Sequence, residues 1–77
     1  MISTEELTQL IQSDLTDAQV EIHDRTGASD HFSIKVISSQ FQDLNIMDRH
    51  RKVMDILKPA MADGRLHAVE LKTDLPN

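Results

Sequence analysis

Four histidines are the side chains of this sequence best suited to metal chemistry: His23, His31, His50 and His67. Neutral imidazole is a common nitrogen ligand for iron and zinc. His31 and His67 each come directly before alternating apolar residues, so each is expected to open a β-strand. If these strands are parallel neighbours, they lie about 4.8 Å apart and both imidazoles stand at the same end of the sheet. The two side chains can then converge on one metal.

Side-chain alternation leaves a second interpretation of this pair open. Phe32 is expected to face the core, so its neighbour His31 would point away from it. His67 shares its parity with Val69 and Leu71, which are expected to be buried. On this interpretation His31 is solvated, His67 is partly buried, and no metal is shared. A loop conformation at His31 would remove the conflict, because alternation holds only inside a strand.

Composition limits the kinds of ligand and partner that the chain can use. It has no cysteine, so it has no disulfide and no thiolate metal ligand of its own. Any metal must be held by His, Asp or Glu, or by ligands from a partner. Eight Lys and Arg against thirteen Asp and Glu give a net charge of −5, which argues against tight non-specific binding of nucleic acid. The 77 residues are expected to form one small domain with a thin stability margin.

Membrane proteins and enzymes are both disfavoured. No apolar run approaches the roughly 18 residues that a spanning helix requires. The N-terminus lacks the charged and apolar regions of a signal peptide, so we expect a cytoplasmic protein without a membrane partner. Catalysis is not expected either, because there is no Cys nucleophile and because Ser29, Asp30 and His31 are only sequence neighbours.

Hydrophobic patterning predicts the elements that must position the histidines. Ser3 and Glu6 have the spacing of a capping box, and helical periodicity predicts a helix over residues 4–14. Alternation predicts two strands, over residues 18–22 and 32–36, joined by a turn-rich loop as an antiparallel hairpin. A third strand is expected over residues 66–72.

A second helix is expected to begin after Asn45, a candidate N-cap. Its apolar side is predicted to include Ile46, His50, Val53, Met54 and Leu57. Pro59 lacks an N–H, so we expect a kink there, or a fresh short turn that ends near Gly64. In the polar segment before this helix, Phe41 is expected to insert into the core.

The order of elements predicts the fold class. The link from the second strand to the third contains a helix, which allows a right-handed parallel crossover. Counting the turn after Pro59 as a short helix, the order is α-β-β-α-α-β. We therefore predict an α/β (α+β) fold in which helices cover one face of a three-stranded mixed sheet.

The motifs, in this order, resemble the BolA-like family. That family's pattern is Arg-His-Arg, aliphatic helix positions soon after, and a return strand that opens with Ile or Leu, His and Ala. The corresponding residues are Arg49-His50-Arg51, Val53 and Leu57, and Leu66-His67-Ala68. The family's His-Phe and Val-Ser-x-x-Phe segments are similar to Asp30-His31-Phe32 and Ile37-Ser38-Ser39-Gln40-Phe41. The resemblance covers about residues 4–73.

The resemblance implies a KH-like fold and a role in iron–sulfur chemistry. In BolA-like proteins the His of the return strand is the hallmark metal ligand, here His67, and a loop His or Cys is the second, here His31. The family shares a [2Fe-2S] cluster with a monothiol glutaredoxin, whose active-site Cys and bound glutathione supply the other ligands. This implies cluster assembly, trafficking or iron homeostasis, with no cluster expected on the isolated chain. The usual Trp-bearing C-terminal segment is not found in this sequence.

A basic group beside the second helix supports an alternative function, that of a DNA-binding transcriptional regulator. Its members are Arg49, Arg51, Lys52 and Lys58, with Arg65 nearby. Some BolA-like proteins are described as transcriptional regulators, and basic residues on a helix can contact a phosphate backbone. Arg49 and Arg51 can equally dock an acidic or glutathione-bearing partner. Asp48 and Asp55 dilute the positive charge, so a solvated charged face is the third interpretation.

Overall fold

Within residues 2–27 and 31–77, which the computed structural model describes, the chain forms two α-helices and three strands. In chain order these are α1 (Thr4–Asp14), β1 (Gln19–Asp24), β2 (His31–Ile37), α2 (Ile46–Ala62) and β3 (Ala68–Asp74). β1 pairs antiparallel with β2, and β2 pairs parallel with β3. The sheet order is therefore β1-β2-β3. The predicted α+β fold, the hairpin and the parallel crossover are all confirmed.

Helix α1 begins at the predicted capping box. The Ser3 hydroxyl accepts a hydrogen bond from the Glu6 backbone N–H at 3.0 Å. This bond satisfies one of the donors that the first turn of a helix leaves unpaired. Leu7 and Ile11, one turn apart, are fully buried and fix the face that α1 presents to the sheet.

One face of the sheet carries the core and the other is open. On β2 the side chains of Phe32, Ile34 and Val36 are buried, and they lie in one hydrophobic cluster with residues of both helices. The parallel register sets Phe32 beside Val69 on this face. On the opposite face Ser33 lies between His23 of β1 and Glu70 of β3. His23 therefore points away from the core, as its parity predicted.

Helix α2 continues through Pro59, so the predicted second short helix does not form as a separate element. A proline inside a helix leaves the carbonyl four residues earlier without its N–H donor. Here that carbonyl belongs to Asp55, and Asp55 and Pro59 are both on the exposed side, where water can replace the donor. Leu57 and Ala60 are fully buried on either side of the proline and hold the last turn against the core.

The prediction that Ile46 and His50 belong to the buried side of α2 is wrong. The buried residues are Val53, Leu57 and Ala60, whereas Ile46 is 76% exposed and His50 is also exposed. His50 lies about 60° around the helix from Val53, far enough to leave the narrow face that meets the core. Ile46 shares the angular position of the buried residues around the helix. It belongs to the first turn, however, and the buried part of α2 begins only at Val53.

Asp17 fastens the turn after α1 to the connection that follows β2. Its carboxylate accepts hydrogen bonds from the Ser38 hydroxyl at 2.6 Å, the Ser39 hydroxyl at 2.6 Å and the Ser39 N–H at 2.8 Å. These donors, the Ser38 hydroxyl first, lower the pKa of Asp17 from 3.8 to about 2. Local sequence patterns do not indicate this contact, because Asp17 and Ser38 are 21 residues apart.

Asp17 should make the stability of the fold depend on pH. Since its pKa is lower in the folded chain, its contribution is fully present above pH 3.8 and is lost as the pH falls through about 2. Asp17→Asn should unfold at lower urea concentration than the wild type at pH 6, and the difference should shrink between pH 4 and pH 2. Asp43→Asn, which alters an exposed carboxylate in the same connection, is the matched control. A difference that does not change with pH would contradict a role for the Asp17 charge.

Candidate metal-binding site

His31 is the first residue of β2, at the edge of the sheet where the hairpin loop returns. Its side chain is exposed, while the next residue, Phe32, is 1% exposed and packs into the core. The His31 carbonyl accepts a hydrogen bond from the Arg25 N–H at 2.9 Å, so the hairpin pairing extends one step beyond β1. The backbone of His31 is therefore fixed, and its imidazole lies on the open face of the sheet as predicted.

His67 lies one residue before β3, so it is not governed by the alternation inside that strand. Leu66 is 1% exposed and Val69 faces the core, with His67 and Ala68 between them. Two residues between core-facing neighbours break the strict period of two. The His67 side chain is exposed, and the prediction that it is partly buried alongside Val69 and Leu71 is wrong. The parity argument against a His31–His67 pair therefore does not apply.

The parallel register brings the two histidines to the same end of the sheet. His31 pairs with Ala68, the residue next to His67. With neighbouring strands about 4.8 Å apart and successive Cα atoms 3.8 Å apart, the two Cα atoms are no more than about 9 Å from each other. Among the described residues no group of three or more His, Cys, Asp or Glu can hold a metal ion. The described residues of this site thus provide two exposed imidazoles.

A cross-strand ion pair braces the sheet beside His31. Arg25 Nη1 lies 2.6 Å from Glu70 Oε2 and also donates to the Ser33 hydroxyl at 3.3 Å. The contact joins the residue that follows β1 to β2 and β3, next to an open depression of about 290 Å³ that Arg25, His31 and Glu70 help to line. Because both charged side chains are more than half exposed, the pair adds at most about 1 kcal/mol to stability. Sequence reasoning missed it, since Arg25 and Glu70 are 45 residues apart.

The turn that leads to His67 is anchored on both sides. Asp63 accepts from the Arg65 backbone N–H at 3.0 Å and from its Nε at 2.8 Å. These contacts, the backbone hydrogen bond first, hold the pKa of Asp63 below its ordinary value. The Arg65 carbonyl accepts from the Ile2 N–H, and the Leu66 N–H donates to the Ala60 carbonyl, both at 3.1 Å. His67 therefore follows a turn that is fixed to the segment before α1 and to α2.

The four basic residues predicted to bind a partner or nucleic acid do not form one surface. Arg49 is half-buried, and its Nε donates to the carbonyls of Phe41 at 3.1 Å and Leu44 at 2.9 Å. Arg51 is exposed and lies 3.9 Å from Asp48.

The two lysines lie on different sides of α2. Lys58 is exposed on the same side as Arg51, whereas half-buried Lys52 lies about 100° further round. Binding of a partner or of DNA by these side chains stays a prediction.

The Arg49–Arg51 segment of α2 lies far from the two histidines. β2 runs away from the end that carries His31, and α2 then returns to that end before β3 begins. The 17 residues of α2 span about 25 Å. Arg49 and Arg51, in its first half, are therefore near the opposite end of the molecule from His67.

The other two histidines are also exposed. His23 lies on the open face of β1, and His50 lies on the exposed side of α2. Ser29 and Asp30, the sequence neighbours of His31, lie outside the described residues. In the part of the chain that the structure describes, neither helix is long and apolar enough to cross a membrane.

Comparison with known proteins identifies one family for this chain. The model of the family described as BolA-like protein matches residues 7–77, so the chain belongs to the BolA-like family. It is similar to a BolA-like protein of Dictyostelium discoideum, with 28% identity over 78 residues that cover 92% of this chain and 68% of that protein.

Solved structures agree with this assignment. BolA1 from Arabidopsis thaliana has a TM-score of 0.84 and 26% identity, and the match covers 97% of this chain and 95% of that chain. A BolA homologue from Coxiella burnetii has a TM-score of 0.79 and 27% identity, with 99% and 94% covered. The predicted family and fold are confirmed.

Proposed function

We propose that this BolA-like protein pairs with a monothiol glutaredoxin and supplies His67 and His31 as ligands of a [2Fe-2S] cluster that bridges the two proteins. The observation that carries the proposal is the parallel register that sets two exposed imidazoles at one end of the sheet. Within the described residues these imidazoles have no third metal ligand beside them. An incomplete, exposed ligand set is what a cluster shared between two proteins requires.

The chemistry of the cluster explains why the partner must bring sulfur. Iron–sulfur clusters are held mainly by thiolates, and histidine replaces only some of them in known sites. This chain has no cysteine, so the thiolates must come from the glutaredoxin Cys and from glutathione. Neutral imidazoles in place of two thiolates would leave the cluster less negative and raise its reduction potential. These properties suit a protein that handles clusters in assembly, trafficking or iron homeostasis.

The residues around the histidines have a positioning role in this proposal. The anchored turn at Asp63 and Arg65 sets the place of His67, and the hairpin hydrogen bond from Arg25 sets the place of His31. Backbone contacts hold the positions of both His31 and His67. Little conformational entropy is therefore lost when a partner binds, which favours affinity. The partner is expected to approach the end of the sheet that carries the histidines, away from Arg49 and Arg51.

Reconstitution with a partner tests this proposal. The chain is mixed anaerobically with a monothiol glutaredoxin, glutathione, iron and sulfide, and the products are followed by visible circular dichroism and native mass spectrometry. We expect a one-to-one complex that contains one [2Fe-2S] cluster and has a spectrum distinct from that of the glutaredoxin homodimer. If only the glutaredoxin homodimer carries cluster, the proposal is wrong.

His31→Ala should still form the complex but hold the cluster at least tenfold more weakly, because one of two imidazole ligands is lost while the anchored His67 remains. The readout is the rate at which a chelator removes iron from the complex. His23→Ala, which removes another exposed imidazole from the open face, should lose iron at the wild-type rate. Equal rates for His31→Ala and wild type would remove His31 from the ligand set.

A further inference from the structure

The exposed side of α2 carries two thioethers and an imidazole that do not belong to the proposed cluster site. Met47, His50 and Met54 follow one another at spacings of three and four residues. Side chains at these spacings are neighbours on one side of a helix, with Cβ atoms about 5–6 Å apart. The same three residues line one surface cavity of about 390 Å³, together with Ile46 and Arg51.

Core packing does not account for these methionines. A methionine stripe on a helix usually fills a hydrophobic core, but here that place is taken by Val53, Leu57 and Ala60. Met47 is 70% exposed, which is unusual for a large apolar side chain, and Met54 is only half-buried. Their thioethers are therefore accessible from solvent on the side where His50 also points outward.

The ligand types point to a monovalent soft cation. Thioether sulfur prefers Cu(I), and imidazole also binds copper well. The long, unbranched methionine side chain can adapt its sulfur position to a bound ion. No carboxylate lines this cavity, so it lacks the acidic side chains that hard divalent cations prefer. Arg51 is the nearby positive charge, and Asp48 at 3.9 Å partly offsets it.

We propose that Met47, His50 and Met54 form a Cu(I)-binding site on α2, separate from the proposed cluster site. The first half of α2 lies at the opposite end of the sheet from His31 and His67. The two sites therefore have no ligand in common. The copper site is independent of the proposed pairing with a glutaredoxin.

Methionine methyl spectroscopy tests the site directly in the wild-type protein. The chain is labelled with ¹³C at the methionine ε-methyl groups and titrated anaerobically with Cu(I) as its acetonitrile complex, and then separately with Ag(I). We expect the Met47 and Met54 methyl signals and the His50 ring signals to shift at one equivalent. Met61, on the same helix and packed against the core, should not shift. Equal shifts at Met61, or none at Met47 and Met54, would overturn the proposal.

Leucine variants separate metal binding from a purely apolar surface. Met47→Leu combined with Met54→Leu removes both sulfur atoms but keeps the apolar character, so it should bind Cu(I) at least tenfold more weakly in competition with a chromophoric Cu(I) chelator. Met61→Leu is the matched control and should bind as wild type. The double variant should form the cluster complex with glutaredoxin as the wild type does. Unchanged Cu(I) affinity in the double variant would show that the ion binds elsewhere.

Discussion

Replacing His67 with alanine is expected to abolish formation of the cluster-bridged complex while leaving the fold intact. His67 is exposed and lies outside the strands, and among the described residues its side chain makes no hydrogen bond or ion pair. The free energy of unfolding should therefore change by no more than about 0.5 kcal/mol. Loss of a direct ligand should exceed the 10- to 100-fold cost that is typical when a residue that only hydrogen-bonds to a metal ligand is changed. We expect cluster incorporation to fall by about 100-fold or more.

Two measurements distinguish loss of a cluster ligand from loss of the fold. Urea unfolding of His67→Ala without metal shows whether the domain is still folded, and reconstitution with glutaredoxin shows whether the cluster complex forms. His23→Ala provides the control for loss of an exposed histidine elsewhere on the sheet. Wild-type cluster content in a folded His67→Ala protein would contradict the assignment of His67 as a ligand.

Replacing Phe41 with alanine is expected to give the largest loss of stability. Phe41 is fully buried, and it ends the single 3-10 turn, Ser39–Phe41, that connects β2 to α2. Its carbonyl also accepts from Arg49 Nε, so the ring and the backbone are held at the same point. Truncation of a buried phenylalanine costs about 3–5 kcal/mol. The stability of a whole domain is only about 5–15 kcal/mol, so this variant should lose a large part of its free energy of unfolding.

Urea unfolding followed by far-ultraviolet circular dichroism measures this loss. Phe41→Leu keeps most of the buried volume and should lose clearly less than Phe41→Ala. Met47→Ala, which truncates an exposed apolar side chain in the next element, should change stability by no more than about 0.5 kcal/mol. A loss below about 1 kcal/mol for Phe41→Ala would contradict tight packing around this turn.

Local signals in the sequence were sufficient to predict most of the fold. The capping box at Ser3 fixes the start of α1, and alternation around Ile22 and Ile34 gives the hairpin. The helical link to β3 is long enough for a parallel crossover, and the register shows that β3 pairs parallel with β2. Each of these features depends on residues close together in sequence, and helix and strand periodicity report them directly. Burial of Phe41 was also predictable, because its neighbours are polar.

Features that depend on distant residues were predicted less well. A helical wheel gives the apolar sector of α2 but not how much of it meets the sheet, and so Ile46 and His50 were wrongly placed in the core. Pro59 leaves the Asp55 carbonyl without an N–H donor, and the effect on the helix depended on which side of α2 that carbonyl would face. β3 also begins two residues later than predicted, which left His67 outside the strand.

The candidate site was predictable in part. The sequence indicated that His31 and His67 stand at one end of parallel neighbouring strands, and the register confirms this placement. It did not indicate the contact between Arg25 and Glu70, because no sequence pattern connects residues that far apart. The role of His31 and His67 as cluster ligands stays a prediction, because the cluster also needs ligand atoms that a partner must supply.

Pulsed electron paramagnetic resonance of the reduced complex tests the central proposal most directly. The complex is assembled from ¹⁵N-histidine-labelled chain and unlabelled glutaredoxin, so only imidazoles of this chain can give ¹⁵N couplings. We predict two distinct ¹⁵N couplings in the wild-type complex and one in the His31→Ala complex. A wild-type cluster without any ¹⁵N coupling would show that the partner supplies every ligand, and would contradict the proposed role of His67 and His31.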